Sequence, residues 1–165
     1  MATRKDDNQK THIESDATPQ LDEIGIAYHQ SPDIVADART IIDSAQAAAR
    51  CAVNVTLVVR NWLLGRRIAE EELRHKERAD YGKQIVDNLS KKLVQAYGTG
   101  FSRRALYQYL QFYKAFPEIV HSLRAQSHLA LSWSHYRELL RVTKADARTW
   151  YAREAAEQAW STRTL

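Results

Sequence analysis

From Ile34 to Trp62 the chain repeats small or apolar residues at alternating spacings of four and three: Ile34, Ala38, Ile41, Ala45, Ala48, Ala52, Val55, Val59 and Trp62. Such a spacing returns to one side of an α-helix on every turn, and it conflicts with the period of two that a half-buried strand requires. It predicts a helix from Pro32 to about Lys76, with Arg66 interrupting the seam and Ala69 resuming it. A helix of roughly 40 residues is ~60 Å long, more than the width of a compact domain of this size. Part of it must therefore pack against something else, or it must break near Gly65. One reading makes it a single amphipathic helix serving its own domain. The other is homodimerisation through the alanine-rich half, where Ile34, Ala38, Ile41, Ala45, Ala48 and Ala52 would let two helices approach closely.

The rest of the chain reads the same way. Five Gly and three Pro in 165 residues are too few turn signals for a β-rich fold. The expected class is all-α, a multi-helix domain with one very long N-terminal helix and a helix-turn-helix core. Residues 1–32 are polar and aperiodic and are expected to form a disordered acidic arm, with residues 33–165 as the folded part. Ser31-Pro32-Asp33 supplies a helix start, with Ser31 as the cap and Pro32 at the first helical position. A second helix is expected from about Tyr81 to Tyr97, burying Ile85, Val86, Leu89 and Leu93, with Gly98 in the left-handed position after its end. Ser102 caps a third helix that runs to Phe116, and Pro117 stops it. A short helix follows at Ser134 to Arg141. Another starts at Thr143, with Asp146 placed to complete the cap. Trp133, Trp150 and Trp160 read as core anchors. Trp160-Ser161 looks like one more helix start, so the polypeptide is expected to be a piece of a longer protein.

Charge narrows the partner. The first 32 residues hold three basic and six acidic side chains, whereas the remaining 133 hold 21 basic and 14 acidic. A folded part at +7 behind an arm at −3 points to an anionic partner, nucleic acid first among them. Cys51 is the single cysteine, which excludes an intrachain disulfide and fits a cytoplasmic setting. The most apolar stretch, Ala45 to Leu64, contains Arg50, Asn54, Arg60 and Asn61, so no membrane partner is expected.

The segment most informative about function is the third helix. At ~100° per residue, Arg103, Arg104, Tyr107, Gln108, Gln111 and Lys114 fill one arc of about 140°. Ala105, Leu106, Tyr109, Leu110, Phe112, Tyr113 and Phe116 fill the opposite arc, and only Ala115 falls on the wrong side. The outer arc carries no acid. Arginine and glutamine can bond base edges and lysine can neutralise phosphate. Residues 83–114 hold six basic side chains and one acidic, and Lys91 and Lys92 on the preceding helix are placed to grip phosphates. Ser102 and the first amides of the third helix could cap another. The competing reading is that every surface helix has a polar face.

Other constellations carry less. His121, His128 and His135 recur every seven residues but lack a clustered fourth ligand, and Glu70-Glu71-Glu72 reads as a solvated charge run. No glycine-rich phosphate loop and no Cys/His or Ser/His/Asp arrangement is present. No metal, cofactor or small-molecule ligand is expected.

Several uncommon strings occur in order. They are Val53-Asn54 leading to Trp62 and Gly65; Tyr81-Gly82-Lys83 leading to Leu89-Ser90; Gly100-Phe101-Ser102 leading to Phe112-Tyr113; Leu131-Ser132-Trp133-Ser134-His135-Tyr136 with Leu139-Leu140-Arg141-Val142; and Tyr151, Glu154-Ala155 and Trp160-Ser161-Thr162-Arg163. From about residue 36 onward the chain resembles the N-terminal domain of the YhcG-type PDDEXK nuclease family. The resemblance implies a bacterial, winged-helix-like DNA-binding domain that precedes a nuclease domain. Two departures matter. Position 105 is Ala where members often carry Asn, and the sequence contains no Glu-x-Lys, which a PDDEXK site requires. Hydrolysis is therefore not assigned to this polypeptide. The leading expectation is a DNA-binding module that targets an associated nuclease. The alternative is a helical protein-interaction or dimerisation module without intrinsic nucleic-acid binding.

Overall fold

The computed structural model of the protein describes residues 24–28, 30–74, 81–119 and 131–165. Most of the expected acidic arm, residues 1–23 and His29, lies outside the described residues, as do His121 and His128. Among the described residues five helices follow in order: α1 Ile34–Arg74, α2 Tyr81–Tyr97, α3 Arg103–Ala115, α4 Trp133–Leu139 and α5 Ala145–Glu157, with a 3₁₀ turn Thr99–Phe101 between α2 and α3. The all-α class and its long first helix are as the sequence predicts. No strand occurs among the described residues, so the wing of a winged helix is not seen there. Nor is any described helix long and apolar enough to cross a membrane.

The chain divides into two compact units, residues 1–48 and 49–165. In the first, α1 starts two residues later than expected. Asp33, not Ser31, is its cap: the Asp33 carboxylate accepts from the amides of Val35 at 2.9 Å and Ala36 at 3.2 Å. A carboxylate satisfies these two amides at once, and its charge suits the positive end of the helix dipole. Ser31 instead donates its amide (2.8 Å) and hydroxyl (2.7 Å) to the two oxygens of Asp37. The segment before it lies along the helix. The Ala27 amide donates to Ser44 Oγ at 3.0 Å, and a side chain on Gly25 would contact Ala48 at 3.6 Å.

The second unit is built around the C-terminal half of α1, which passes through Gly65 without a break. One apolar cluster joins Val58 and Trp62 of α1 to Phe112, Ile119, Leu131, Tyr136, Leu139 and Ala155. Phe112 is its hub, with ring centroids 4.9 Å from Tyr136, 5.3 Å from Trp133 and 5.5 Å from Phe116. The Trp62 indole donates to the Phe116 carbonyl at 2.9 Å, so its polar edge is paired while its ring is buried. Burial also pushes the Tyr136 phenol well above its ordinary value. The other cluster joins Ile68 and Ala69 of α1 to Val86 of α2 and Leu106, Tyr109 and Leu110 of α3. Leu89 and Leu93 pack partly buried against it, as their helical spacing predicts.

At Gly65 the backbones of α1 and α3 approach each other directly. A Cβ there would lie 2.6 Å from the Tyr109 carbonyl carbon and closer still to its oxygen. The residue that the sequence marks as a possible break is the one whose missing side chain lets two backbones meet.

Two other expectations need correction. α5 begins at Ala145, with no side-chain cap from Thr143. The Arg148 guanidinium, 5.6 Å over the Phe116 ring, donates to the Val142 carbonyl at 3.1 Å, and this tertiary anchor sets the register in place of a local box. In that register Ala152, Ala155 and Ala156 face the core. Trp150 then projects from the far side, 46% exposed and edge-on to Tyr151 at 5.0 Å. Trp133 and Trp160 do pack against the core.

Candidate nucleic-acid interface

α2 and α3 are joined by a turn whose geometry follows from three residues. Gly98 takes φ of 89°, a left-handed conformation that a side chain would strain. Its amide donates to the Val94 carbonyl at 2.9 Å and closes α2. Ser102 then caps α3, its Oγ accepting from the Ala105 amide at 3.4 Å. The Tyr109 hydroxyl donates to the Gly100 carbonyl at 2.9 Å, so the turn is also tied down from within α3.

The wheel describes α3 well. Leu106, Tyr109, Leu110 and Phe112 are buried; Arg103, Arg104, Gln111 and Lys114 are exposed; Tyr107 and Gln108 are half-buried. Lys91 and Lys92 are exposed on α2. All nine residues expected to meet nucleic acid thus lie at the surface or partly open to it on one helix-turn-helix.

The fold adds what the wheel does not contain. Asp87 of α2 pairs with Arg103 at 3.0 Å, and that guanidinium also lies 5.7 Å over the Tyr107 ring. Glu72 of α1 pairs with Lys114 at 3.4 Å. Both pairs are solvent-exposed and therefore weak, but each lowers the positive potential at its end of α3. Among the described residues Lys91, Lys92 and Arg104 have no acidic partner.

Glu70 and Glu71 also have partners. Arg66 pairs with Glu70 at 2.8 Å and Arg67 with Glu71 at 2.7 Å, one helical turn apart. The hydrogen bond to Glu70 holds the Arg66 guanidinium above its ordinary value. His135 is engaged too: its Nδ1 accepts from the Ser132 amide at 3.3 Å, and its Nε2 lies 2.9 Å from the Trp160 carbonyl. It closes the N-terminus of α4 in the place that a Glu or Gln takes in a capping box.

One cation near the turn is not among the nine. Arg60 of α1 lies 5.2 Å over the Phe101 ring, immediately before Ser102. The sequence shows it only as an arginine beside the apolar seam. Its proximity to Phe101 comes from how α1 packs, and no local pattern signals that.

The proposed dimer seam is divided. Ile34 (80% exposed), Ala38 and Ala52 are open to solvent. Ile41, Ala45 and Ala48 are half-buried, on the stretch that residues 24–28 overlie. The large apolar side chains left open along α1 are Ile34, Val35, Ile42, Val53, Leu63 and Leu73.

What fold and site define together is a helical domain built on one long helix, with a basic helix-turn-helix set against its C-terminal half. The chain belongs to the DUF1016 N-terminal domain family, which it matches over residues 37–165. It is 32% identical over 153 residues to "Putative nuclease YhcG" of Escherichia coli (strain K12), a match that covers 76% of this chain and 40% of that protein. The resemblance read from the sequence strings is thus borne out: the chain is a YhcG-type N-terminal domain. It spans about two fifths of that relative's length. No solved structure matches it.

Proposed function

We propose that this domain binds duplex DNA through the outer face of α3 and the end of α2, and that it brings to DNA a nuclease activity of the kind named for its Escherichia coli relative. The observation that carries this reading is that Lys91, Lys92 and Arg104, on the two helices of one helix-turn-helix, are exposed and have no acidic partner among the described residues. In this geometry the second helix enters the major groove and the first crosses the backbone. Lys91, Lys92, Arg103 and Lys114 would contact phosphate, Arg104, Gln108 and Gln111 would face base edges, and Ser102 would hydrogen-bond a further phosphate. The Tyr107 ring lies 5.7 Å from the Arg103 guanidinium and would help to hold it on that face. A cytoplasmic setting belongs to the same reading, and no catalytic step is assigned to these residues.

The acids on this face supply the test. Asp87→Asn and Glu72→Gln keep the shape of each side chain and release Arg103 and Lys114. The double variant is expected to bind a duplex roughly three- to tenfold more tightly at fixed salt, with a steeper salt dependence. Fluorescence anisotropy on a labelled duplex measures this. Affinity that is unchanged or lower would count against α3 as the contact surface.

A second reading, self-association through α1, is supported by the open side chains of Ile34, Val35, Ile42 and Val53. Burying such side chains against a second copy would remove apolar surface from water. The two readings are compatible, because many helix-turn-helix proteins bind DNA as dimers.

A further inference from the structure

One buried polar group has no role in the surface described so far. Asn61 of α1 is fully buried (0% exposed), and its Nδ2 has no hydrogen-bond partner among the described residues. An apolar side chain of similar shape would avoid that desolvation penalty. Its Oδ1, by contrast, is doubly used. It accepts from Arg60 Nε at 3.0 Å and from Arg60 Nη2 at 2.8 Å. Two hydrogen bonds to one fixed oxygen set both the position and the plane of the guanidinium, and the Phe101 ring lies 5.2 Å beneath it. Phe101 is itself braced edge-on by Tyr97 at 5.8 Å, across the turn between α2 and α3.

The contrast with the other arginines of the same half of α1 is informative. Arg66, Arg67 and Arg74 each pair with a glutamate on their own helix. Arg60 is exposed, and among the described residues it has no acidic partner. Its neighbours are a neutral amide and an aromatic face, which orient the group and leave its charge intact. Among the described residues both N–H groups of Nη1 and one of Nη2 stay uncommitted, a fork suited to the oxygens of a phosphate. Holding this long side chain in advance removes much of the ordering cost that a free arginine meets on binding.

We infer that Arg60 is a phosphate-binding residue, a pre-oriented guanidinium that clamps a backbone phosphate of duplex DNA beside the turn, with Asn61 as its positioning residue. The inference rests on the DNA-binding reading above and extends the contact surface from the helix-turn-helix onto α1. The partial cost of burying Asn61 is then the cost of aiming Arg60.

Three variants of the 165-residue chain test it, each titrated with a labelled duplex across a salt series alongside wild type. Arg60→Gln is expected to weaken binding about five- to tenfold and to reduce the log–log salt slope by about one. Arg60→Lys keeps the slope but binds several-fold more weakly, because the point charge lacks the fork. Asn61→Leu raises the thermal midpoint while weakening binding, a pairing that a purely structural role would not produce. Wild-type affinity and slope in Arg60→Gln, or undiminished affinity in Arg60→Lys, overturns the clamp while leaving the α3 surface standing. If Asn61→Leu does not fold, the Arg60→Lys comparison decides. Absence of duplex binding by wild type overturns both the DNA-binding reading and the clamp.

Discussion

Reversing Lys91, Lys92 and Arg104 together to glutamate is expected to weaken duplex binding by about two orders of magnitude at ~0.1 M salt, with the helical signal and the thermal midpoint close to wild type. These positions are chosen because they are exposed and have no acidic partner among the described residues. Their reversal removes two phosphate contacts and one base-edge contact and adds three repulsions, without breaking an ion pair among the described residues. Reversing Arg103 would be less clean, because it would set two carboxylates against each other at Asp87. Surface changes of this kind usually alter stability by no more than about 0.5 kcal/mol, so lost affinity in a folded protein reports on the interface. Gel retardation and anisotropy both read the effect. A triple variant that binds as wild type would remove these helices from the DNA surface.

Gly65→Ala is expected to destabilise the fold by about 2–4 kcal/mol, measured by chemical denaturation. The sign is diagnostic. In an ordinary helix interior the same change stabilises by up to ~1 kcal/mol, because alanine is the better helix former. Here the added methyl meets the carbonyl group of Tyr109, which is backbone and cannot rotate away. α1 and α3 would have to separate, loosening the contacts of Ile68 and Ala69 with Leu106 and Leu110 and tilting the helix that carries Arg103 through Lys114. A neutral or stabilising outcome would mean that the two backbones do not approach as closely as described.

What could be read from the sequence was local and periodic. The limits of α2, the left-handed Gly98, the Ser102 cap and the division of α3 into buried and exposed arcs all follow from spacing and from single residues with strong conformational preferences. Expectations failed where a tertiary contact outweighed a local one. Thr143 offers a capping box, but Arg148, fixed over Phe116 and bonded to Val142, starts α5 two residues later. Trp150 reads as core because tryptophan is large and apolar, yet three small alanines occupy the inner side of its helix. At the start of α1, a carboxylate two positions past Ser31 makes the better cap.

The candidate site was half legible for the same reason. A wheel contains one helix, so it shows the basic arc of α3 and cannot show Asp87 and Glu72 reaching it from α2 and α1. It equally cannot show Arg60 and Asn61, whose significance depends on Phe101 lying forty residues away in the chain. The alanine-rich seam of α1 is a similar case, because its periodicity does not reveal that the stretch before Ser31 lies along one side of it.

The most direct test of the central claim is the salt dependence of duplex binding by the 165-residue chain, with light scattering on the same samples. Phosphate contacts from Lys91, Lys92, Arg103 and Lys114, with Arg60 as the fifth, predict a log–log slope of about −4 to −5, given a contribution near −0.9 per phosphate neutralised. A stable dimer with no salt-dependent affinity for DNA would contradict the account and leave α1 self-association as the function of the domain.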